Sequence, residues 1–186
     1  DNLIAPLNND EFENLMPEIV VTIGGLIVSK KIKAFLRQFK PNQHWHVGHT
    51  RPNDTFFVLD QRFKVSVNEF FSSFLKSTEI STTSNYESTW LNVFKYRESK
   101  HEEYLSSLDF CDLKVYELII KHLPQNSYLQ LSNSTSVRYT QLFDLKSSIK
   151  VFCNRGTSGI DGSTSTAIGA ATVNKDQTIF ISGDLS

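Results

Sequence analysis

The sequence contains few cysteines and no long apolar run, and each shortage argues against a class of protein. The two cysteines among 186 residues, Cys111 and Cys153, form neither a Cys-x-x-Cys pair nor a disulfide framework. Since disulfides are typical of secreted proteins, we expect a reducing, cytoplasmic setting. No apolar run approaches the roughly 20 residues of a membrane-spanning helix, so we expect no membrane insertion.

An excess of one charge is also lacking. Nineteen basic and twenty acidic residues give a net charge of -1. Proteins that bind nucleic acids or membrane surfaces in general need a basic excess, so we expect neither kind of partner. The chain is 39% hydrophobic, which is enough to form a core, and its length suggests one large domain or parts of two.

Short β-branched runs alternate with amphipathic segments along most of the chain. This alternation predicts an α/β fold made of parallel-sheet layers with flanking helices. The predicted strands lie at 18–23, 43–49, 55–59, 127–131, 149–153 and 178–182. The predicted helices lie at 29–39, 67–75, 86–108, 112–122 and 163–173, with Ser29 and Asp112 as predicted N-caps.

A polar stretch rich in serine and threonine, residues 76–87, is the main shift in composition. We interpret residues 79–88 as a linker between two domains, at 1–78 and 89–186. The chain begins without methionine and ends just after a strand-like run and a Gly-Asp turn. We therefore expect it to be a fragment of a longer protein.

Polar loops follow three predicted strands of the second half. The first loop carries Asn133, Ser134 and Arg138, the second carries Arg155 among glycines, and the third carries Asp184. If the strands are parallel, their carboxyl ends place all three loops at one edge of the sheet. Arginines there suit carboxylate or phosphate ligands, and an aspartate suits Mg²⁺. The three loops together predict a ligand site.

Each loop also has a structural interpretation. Ser134 and Arg138 are consistent with a helix cap followed by a solvent-exposed arginine, and the glycines with simple turns. Gly-Asp turns such as the one at Asp184 are common. The glycine-rich loop lacks the Gly-Lys-Ser/Thr ending of a P-loop and does not have the dinucleotide spacing G-x-G-x-x-G. Cys153, beside this loop, is expected to pack in the sheet rather than act as a nucleophile.

Two patterns in the first half allow a ligand but favour a structural interpretation. His44, His46 and His49 form H-x-H-x-x-H, which permits a metal site, yet the intervening tryptophan favours polar histidines on a half-buried strand. Lys30 and Lys31 begin a predicted helix next to a Gly-Gly turn. Most such pairs are solvated, and a minority bind an anion near the helix N-terminus.

The second loop carries a specific resemblance. The run N-R-G-T-S-G-I-D-G at 154–162, followed by Ser165-Thr166-Ala167 and by S-G-D-L-S at 182–186, closely resembles MenD, a thiamine-diphosphate enzyme family of menaquinone biosynthesis. The N-S-x-x-x-R element at 133–138 and the turn and helix start at 23–31 extend the resemblance. It covers residues 18–186. It implies that residues 1–78 are the C-terminal part of a middle, Rossmann-like domain and 89–186 the first part of a diphosphate-binding domain.

The resemblance implies a transferase that uses thiamine diphosphate and Mg²⁺ or Mn²⁺. Family members decarboxylate 2-oxoglutarate and add the succinyl unit to isochorismate, and the whole protein is expected to be a homodimer or homotetramer. In the family, an asparagine after the Gly-Asp turn completes the metal motif, and an N-terminal domain carries an activating glutamate. Neither is in this sequence, so we expect the chain alone to be inactive.

The resemblance also implies roles for individual residues. Arg138, Arg155 and Ile160 would be catalytic, with Ile160 as the apolar wedge that bends the cofactor. Lys31 stands where the family commonly has arginine, which keeps the charge but loses the planar fork. The implied substrate-binding residues are Ser134, Arg138, Arg155, Lys30 and Lys31. The implied cofactor-binding residues are Ser158, Gly159, Ile160, Gly183, Asp184, Leu185 and Ser186, with Asp184 also a metal ligand.

Two other functions remain open at this point. Another thiamine-diphosphate carboligase or decarboxylase, of the acetolactate-synthase type, would use smaller acids and need fewer groups that bind carboxylates. A non-catalytic anion-binding α/β module would bind anions without any cofactor-dependent decarboxylation.

Overall fold

The computed structural model of the chain describes residues 3–79 and 83–185. The chain divides into two compact units, residues 1–102 and 103–186. Each unit contains a parallel three-stranded sheet with helices between its strands, which confirms the predicted α/β class. In the described residues, no helix has the length and apolar character needed to cross a membrane.

The predicted linker at 79–88 lies partly outside the described residues, which omit 80–82. Its last residues, from Tyr86, already belong to a helix that continues to Ser107. Most of that helix is assigned to the first unit. The domain boundaries at 78 and 89 therefore stay a prediction.

The first unit is built on a sheet of order β1-β2-β3, with all strands parallel. Its core contains Leu15, Phe35, Leu36, Phe39 and Phe56, each at most 9% exposed. The elements are α1 (Asn9–Asn14), β1 (Ile19–Ile23), α2 (Lys30–Gln38), β2 (Gln43–Val47), β3 (Leu59–Phe63), α3 (Val67–Ser77) and α4 (Tyr86–Ser107).

Side-chain caps fix where the helices of this unit begin. Ser29 Oγ accepts a hydrogen bond from the backbone N–H of Ile32, as the sequence predicts for the start of α2. The sequence did not predict α1, although Asn8 and Glu11 form a reciprocal capping box at its start. That helix is short and carries little apolar periodicity, so the box was its only signal.

The strand predicted at 55–59 is wrong. The strand is Leu59–Phe63, and the residues before it form a turn. Asp54 Oδ1 accepts hydrogen bonds from the backbone N–H groups of Val58 and Leu59, both at 3.0 Å, which closes the turn. Phe56 is 1% exposed because the turn delivers it into the core, so the apolar run reflects a buried turn rather than a strand.

The second unit is built on a sheet of order β5-β4-β6, again with all strands parallel. Its core contains Ile120, Leu123, Leu129, Leu131, Val137 and Ile149. Because β4 lies between β5 and β6, the chain leaves it toward one neighbour and later returns on its other side. Such a reversal opens a crevice at the carboxyl ends of the strands. The elements are α5 (Asp112–His122), β4 (Tyr128–Leu131), α6 (Thr135–Thr140), β5 (Lys150–Cys153), α7 (Ser163–Val173) and β6 (Thr178–Ile181).

Two predicted caps in this unit are not formed. Cys111, rather than Asp112, is the N-cap of α5, and it makes no side-chain cap hydrogen bond. Ser134 is at the N-cap position of α6, but its side chain does not cap the helix either. Asp112 is instead the first helical residue, where its negative charge complements the helix dipole.

Candidate functional site

The three polar loops of the second unit meet at one edge of the sheet, because β4, β5 and β6 are parallel. Asn133, after β4, accepts a hydrogen bond from Arg155, after β5, over 2.7 Å between Oδ1 and Nη1. Ser132, also after β4, accepts one from the backbone N–H of Gly183, after β6, at 3.3 Å. The edge predicted from the sequence is therefore a connected structure in which β4 contacts both neighbours.

The glycine-rich loop carries a half-buried arginine and an exposed apolar side chain. Arg155 forms no ion pair with a carboxylate of the described residues, and its one recorded side-chain partner there is the neutral Asn133. Ile160 is 36% exposed. The backbone bends through positive φ at Ser158 (57°) and Gly162 (76°), which ends the loop at the start of α7. The loop thus offers a positive charge and an apolar surface to a ligand.

The first loop is strained at Ser134. Its φ of 67° and ψ of -127° lie in a region that residues other than glycine seldom adopt. Such a conformation costs on the order of 1–3 kcal/mol, and it is found at sites where geometry serves function. The turn leaves Ser134 exposed between β4 and α6. Arg138, one turn later, is also exposed.

The third loop carries the carboxylate. Asp184 is exposed directly after Gly183, and a Cβ added to Gly183 would meet no atom within 4 Å. A chain of buried hydroxyl groups supports this turn, since Ser132 accepts from Gly183 and donates to Ser136 Oγ at 3.0 Å. Because the Gly183 N–H is already used, a diphosphate there would rely on the N–H groups that follow it. Leu185 is exposed, and Ser186 lies outside the described residues.

Cys153 lies beside this edge but is a poor nucleophile. Burial raises the pKa of its thiol, and the nearby Arg155 only partly opposes that rise. The side chain packs against the core of the unit, as the sequence predicts. A thiol with a raised pKa stays protonated near neutral pH, and the thiolate is the reactive form.

The other predicted site residues lie in the first unit. Lys30 and Lys31 are the first two residues of α2, and both are exposed. A cavity of about 230 Å³ lies near the start of this helix, and its lining includes Gly25, His46 and Arg51. The two lysines are positioned by the capped start of α2.

The histidine pattern forms a buried polar cluster. His44 and His46 are 1% and 4% exposed, and both contact the Thr22 hydroxyl, at 2.9 Å from His44 Nε2 and 3.1 Å from His46 Nδ1. His49 is exposed. Within the described ranges no group of three or more histidine, cysteine or acidic side chains could hold a metal ion. The structural interpretation of this pattern is therefore the better one.

Three residues at the carboxyl end of β4 escaped the sequence analysis as functional candidates. Ser132, Asn133 and Ser136 are at most 2% exposed, and their side chains contact the neighbouring loops or one another. The available signal was a cluster of small polar residues directly after a buried strand. Such a cluster also fits an ordinary turn, so its importance emerged only from the contacts.

Comparison with known proteins gives a consistent assignment. No family model matches the chain. It is 50% and 52% identical to the 2-succinyl-5-enolpyruvyl-6-hydroxy-3-cyclohexene-1-carboxylate synthases of Flavobacterium johnsoniae and Flavobacterium psychrophilum, over 186 residues in each case. It is 45% identical to the synthase of the same name from Christiangramia forsetii.

These alignments cover the whole chain but only 33%, 34% and 33% of the respective relatives. The chain thus spans about a third of the length of the curated relatives it matches. The resemblance first found in the loops at 133–138, 154–162 and 182–186 therefore extends over all 186 residues. By sequence and by its α/β architecture, the chain belongs to the MenD family of synthases, as a segment about one third of their length.

Proposed function

We propose that this chain is part of a thiamine-diphosphate-dependent transferase that decarboxylates 2-oxoglutarate and adds the succinyl unit to isochorismate in menaquinone biosynthesis. The observation that carries the proposal is 50–52% identity over the full chain to synthases of that name. The chain alone is proposed to be inactive, since it spans only a third of such proteins.

Arg155 supports the choice of substrates. Both proposed substrates carry several carboxylates, and a guanidinium can bind a carboxylate through two parallel hydrogen bonds. Arg155 uses one N–H for Asn133 and has four further N–H groups. Arg138, exposed one turn after Ser134, supplies a second guanidinium from the same unit. We propose that Arg138, Arg155 and the Ser134 hydroxyl bind substrate carboxylates.

The cofactor suits the same edge of the sheet. When bound, thiamine diphosphate supplies the electron sink for the loss of carbon dioxide from a 2-oxo acid. Exposed Ile160, with Ser158 and Gly159, would contact its apolar middle, and the turn at 183–186 would contact its diphosphate. Asp184 would provide one oxygen ligand to Mg²⁺ or Mn²⁺. A hard cation of this kind accepts one or two carboxylates together with phosphate oxygens, so a single exposed aspartate fits.

Further partners are proposed on the same basis. Lys30 and Lys31 would bind isochorismate, because their exposed ammonium groups at the start of α2 can attract its carboxylates. The full-length protein would be a homodimer or homotetramer. A cytoplasmic location, predicted from the two unpaired cysteines, is proposed as well.

The test uses the full-length protein that carries this sequence. It is incubated with 2-oxoglutarate, isochorismate, thiamine diphosphate and Mg²⁺, and the succinyl adduct is measured by mass spectrometry. We expect adduct formation that needs every component. Activity with pyruvate and 2-oxobutyrate instead would indicate an acetolactate-type enzyme. Binding of anions without any cofactor-dependent decarboxylation would indicate a non-catalytic module.

A further inference from the structure

Asn133 uses the whole hydrogen-bonding capacity of its side chain. It is 2% exposed. Its amide nitrogen donates to the carbonyl oxygens of Asn154 at 2.7 Å and Gly159 at 2.6 Å. Its amide oxygen accepts from Arg155 Nη1 at 2.7 Å and from Cys153 Sγ at 3.4 Å. A carboxamide has two donors and two acceptor sites, so all four are satisfied here.

The two donated hydrogen bonds fix the loop after β5. Asn154 is the first residue after the strand, and Gly159 directly precedes Ile160, so one side chain holds both ends of the segment between them. Within this segment Ser158 adopts a positive φ, and its hydroxyl donates to the Arg155 carbonyl at 3.4 Å. The position of Ile160 therefore depends on a contact from a different strand.

The accepted hydrogen bond orients Arg155 without neutralising it. An aspartate at position 133 would have nearly the same shape and would also accept from the guanidinium. It would add a buried negative charge that pairs with Arg155, and it would leave the two carbonyl oxygens without donors. The Cys153 thiol, whose pKa burial raises, is uncharged as well. The groups that contact Arg155 thus leave its positive charge available to a ligand.

We propose that Asn133 is a positioning residue, which orients Arg155 toward a substrate carboxylate and sets the loop that carries Ile160. Its neutrality is essential, because a charged acceptor would compete with the substrate for the guanidinium. This inference rests on the proposed function, in which Arg155 binds a carboxylate. It goes further in assigning the geometry and the free charge of Arg155 to one buried amide.

The experiment compares Asn133→Asp and Asn133→Ala with wild type in the full-length protein. The control is Asn126→Asp, the same change at an exposed turn before β4, on the opposite edge of the sheet. We expect Asn133→Asp to raise the KM for 2-oxoglutarate by at least about tenfold, the usual consequence of losing a hydrogen bond to a charged group. The control should stay within about twofold of wild type, as surface changes usually do.

A double-mutant cycle distinguishes positioning from a general structural role. If Asn133 acts through Arg155, Asn133→Asp should change kcat/KM by less than about threefold in an Arg155→Ala background. Independent effects that multiply would overturn the inference. So would wild-type kinetics in Asn133→Asp, or failure of both position-133 variants to fold, which would assign Asn133 to the fold alone. Lack of activity in the wild type would instead refute the proposed function, and this inference with it.

Discussion

The carboxyl edges of the two sheets treat their polar residues differently. At the edge of β1-β2-β3, Thr22 contacts His44 and His46, and the other ring nitrogens of the two histidines have no hydrogen-bond partner among the described residues. At the edge of β5-β4-β6, Ser132 and Asn133 contact the neighbouring loops instead. The first arrangement fills the interior of a unit, and the second fixes loops that carry charge.

This difference shows which edge is organised before a ligand arrives. Arg155 is held at 2.7 Å by a buried amide, whereas Lys30 and Lys31 are exposed residues of a helix start. A binding group whose position is already fixed loses less conformational freedom when its ligand binds. We therefore expect substitutions at the second edge to affect turnover most.

The largest effect is expected for Arg155→Ala in the full-length protein. Loss of a guanidinium that binds a substrate carboxylate should lower kcat/KM by about 100-fold or more. The thermal midpoint should move by only a few degrees, because the side chain is half-buried and makes one recorded side-chain hydrogen bond. Steady-state kinetics and calorimetry measure the two quantities. Lys175→Ala, an exposed cation at the opposite edge of the sheet, is the control, and equal kinetics in both variants would contradict the role of Arg155.

A smaller effect, now on stability, is expected for Ser132→Ala. The substitution leaves the Gly183 N–H without its acceptor and removes the bond to Ser136, which should lower the free energy of unfolding by about 1–3 kcal/mol. It should also weaken cofactor binding, because the turn at Gly183 loses its support. Denaturant unfolding and calorimetry with thiamine diphosphate test both effects. Ser148→Ala, which removes a single 3.4 Å bond, is the control, and a cofactor affinity equal in the two variants would argue against coupling of the turn to β4.

The first edge should respond to pH. Burial lowers the pKa of His44, an effect that Asp54 opposes and His46 reinforces. Since the unfolded state then binds a proton more readily than the folded state, stability should fall as pH drops below about 6.5. His44→Asn should flatten this dependence between about pH 5 and 7, whereas a change at exposed His49 should not. Urea unfolding across that range measures it, and an unchanged slope in His44→Asn would show that another group is responsible.

The smallest effect is expected for Ser134→Gly. Glycine adopts the φ of 67° at Ser134 without strain, but it also gains freedom in the unfolded chain. The net gain in unfolding free energy should be at most about 1 kcal/mol, while turnover falls because the hydroxyl is lost. Ser158→Gly, at the milder φ of 57°, should gain less. A stability loss in Ser134→Gly would mean that the conformation is not strained.

Local signals predicted the elements that depend on local physics. The helix at 163–173 has the predicted ends, and the capped start of α2 at Ser29 is formed. The parallel arrangement of β4, β5 and β6 followed from the alternation of strands and helices. The turn at 55–58 was mistaken for a strand because burial of Phe56 by tertiary packing gives the same apolar pattern.

The candidate site divides in the same way. The loops and their charged residues could be found from the sequence because they follow predicted strands. The tasks of Ser132 and Asn133 could not, because each depends on which strand lies on either side of β4. That order, β5-β4-β6, is a property of the folded chain, and a single sequence carries no direct signal for it.

The central place of β4 has a consequence for how such a site could change over evolution. Ser132 and Asn133 are adjacent in sequence, yet one contacts the loop after β6 and the other the loop after β5. Their separation is fixed by one peptide unit, about 3.8 Å between consecutive Cα atoms. Side chains in the outer loops could therefore be exchanged to suit a different acid, while this dipeptide kept the anchoring points of the two loops in register.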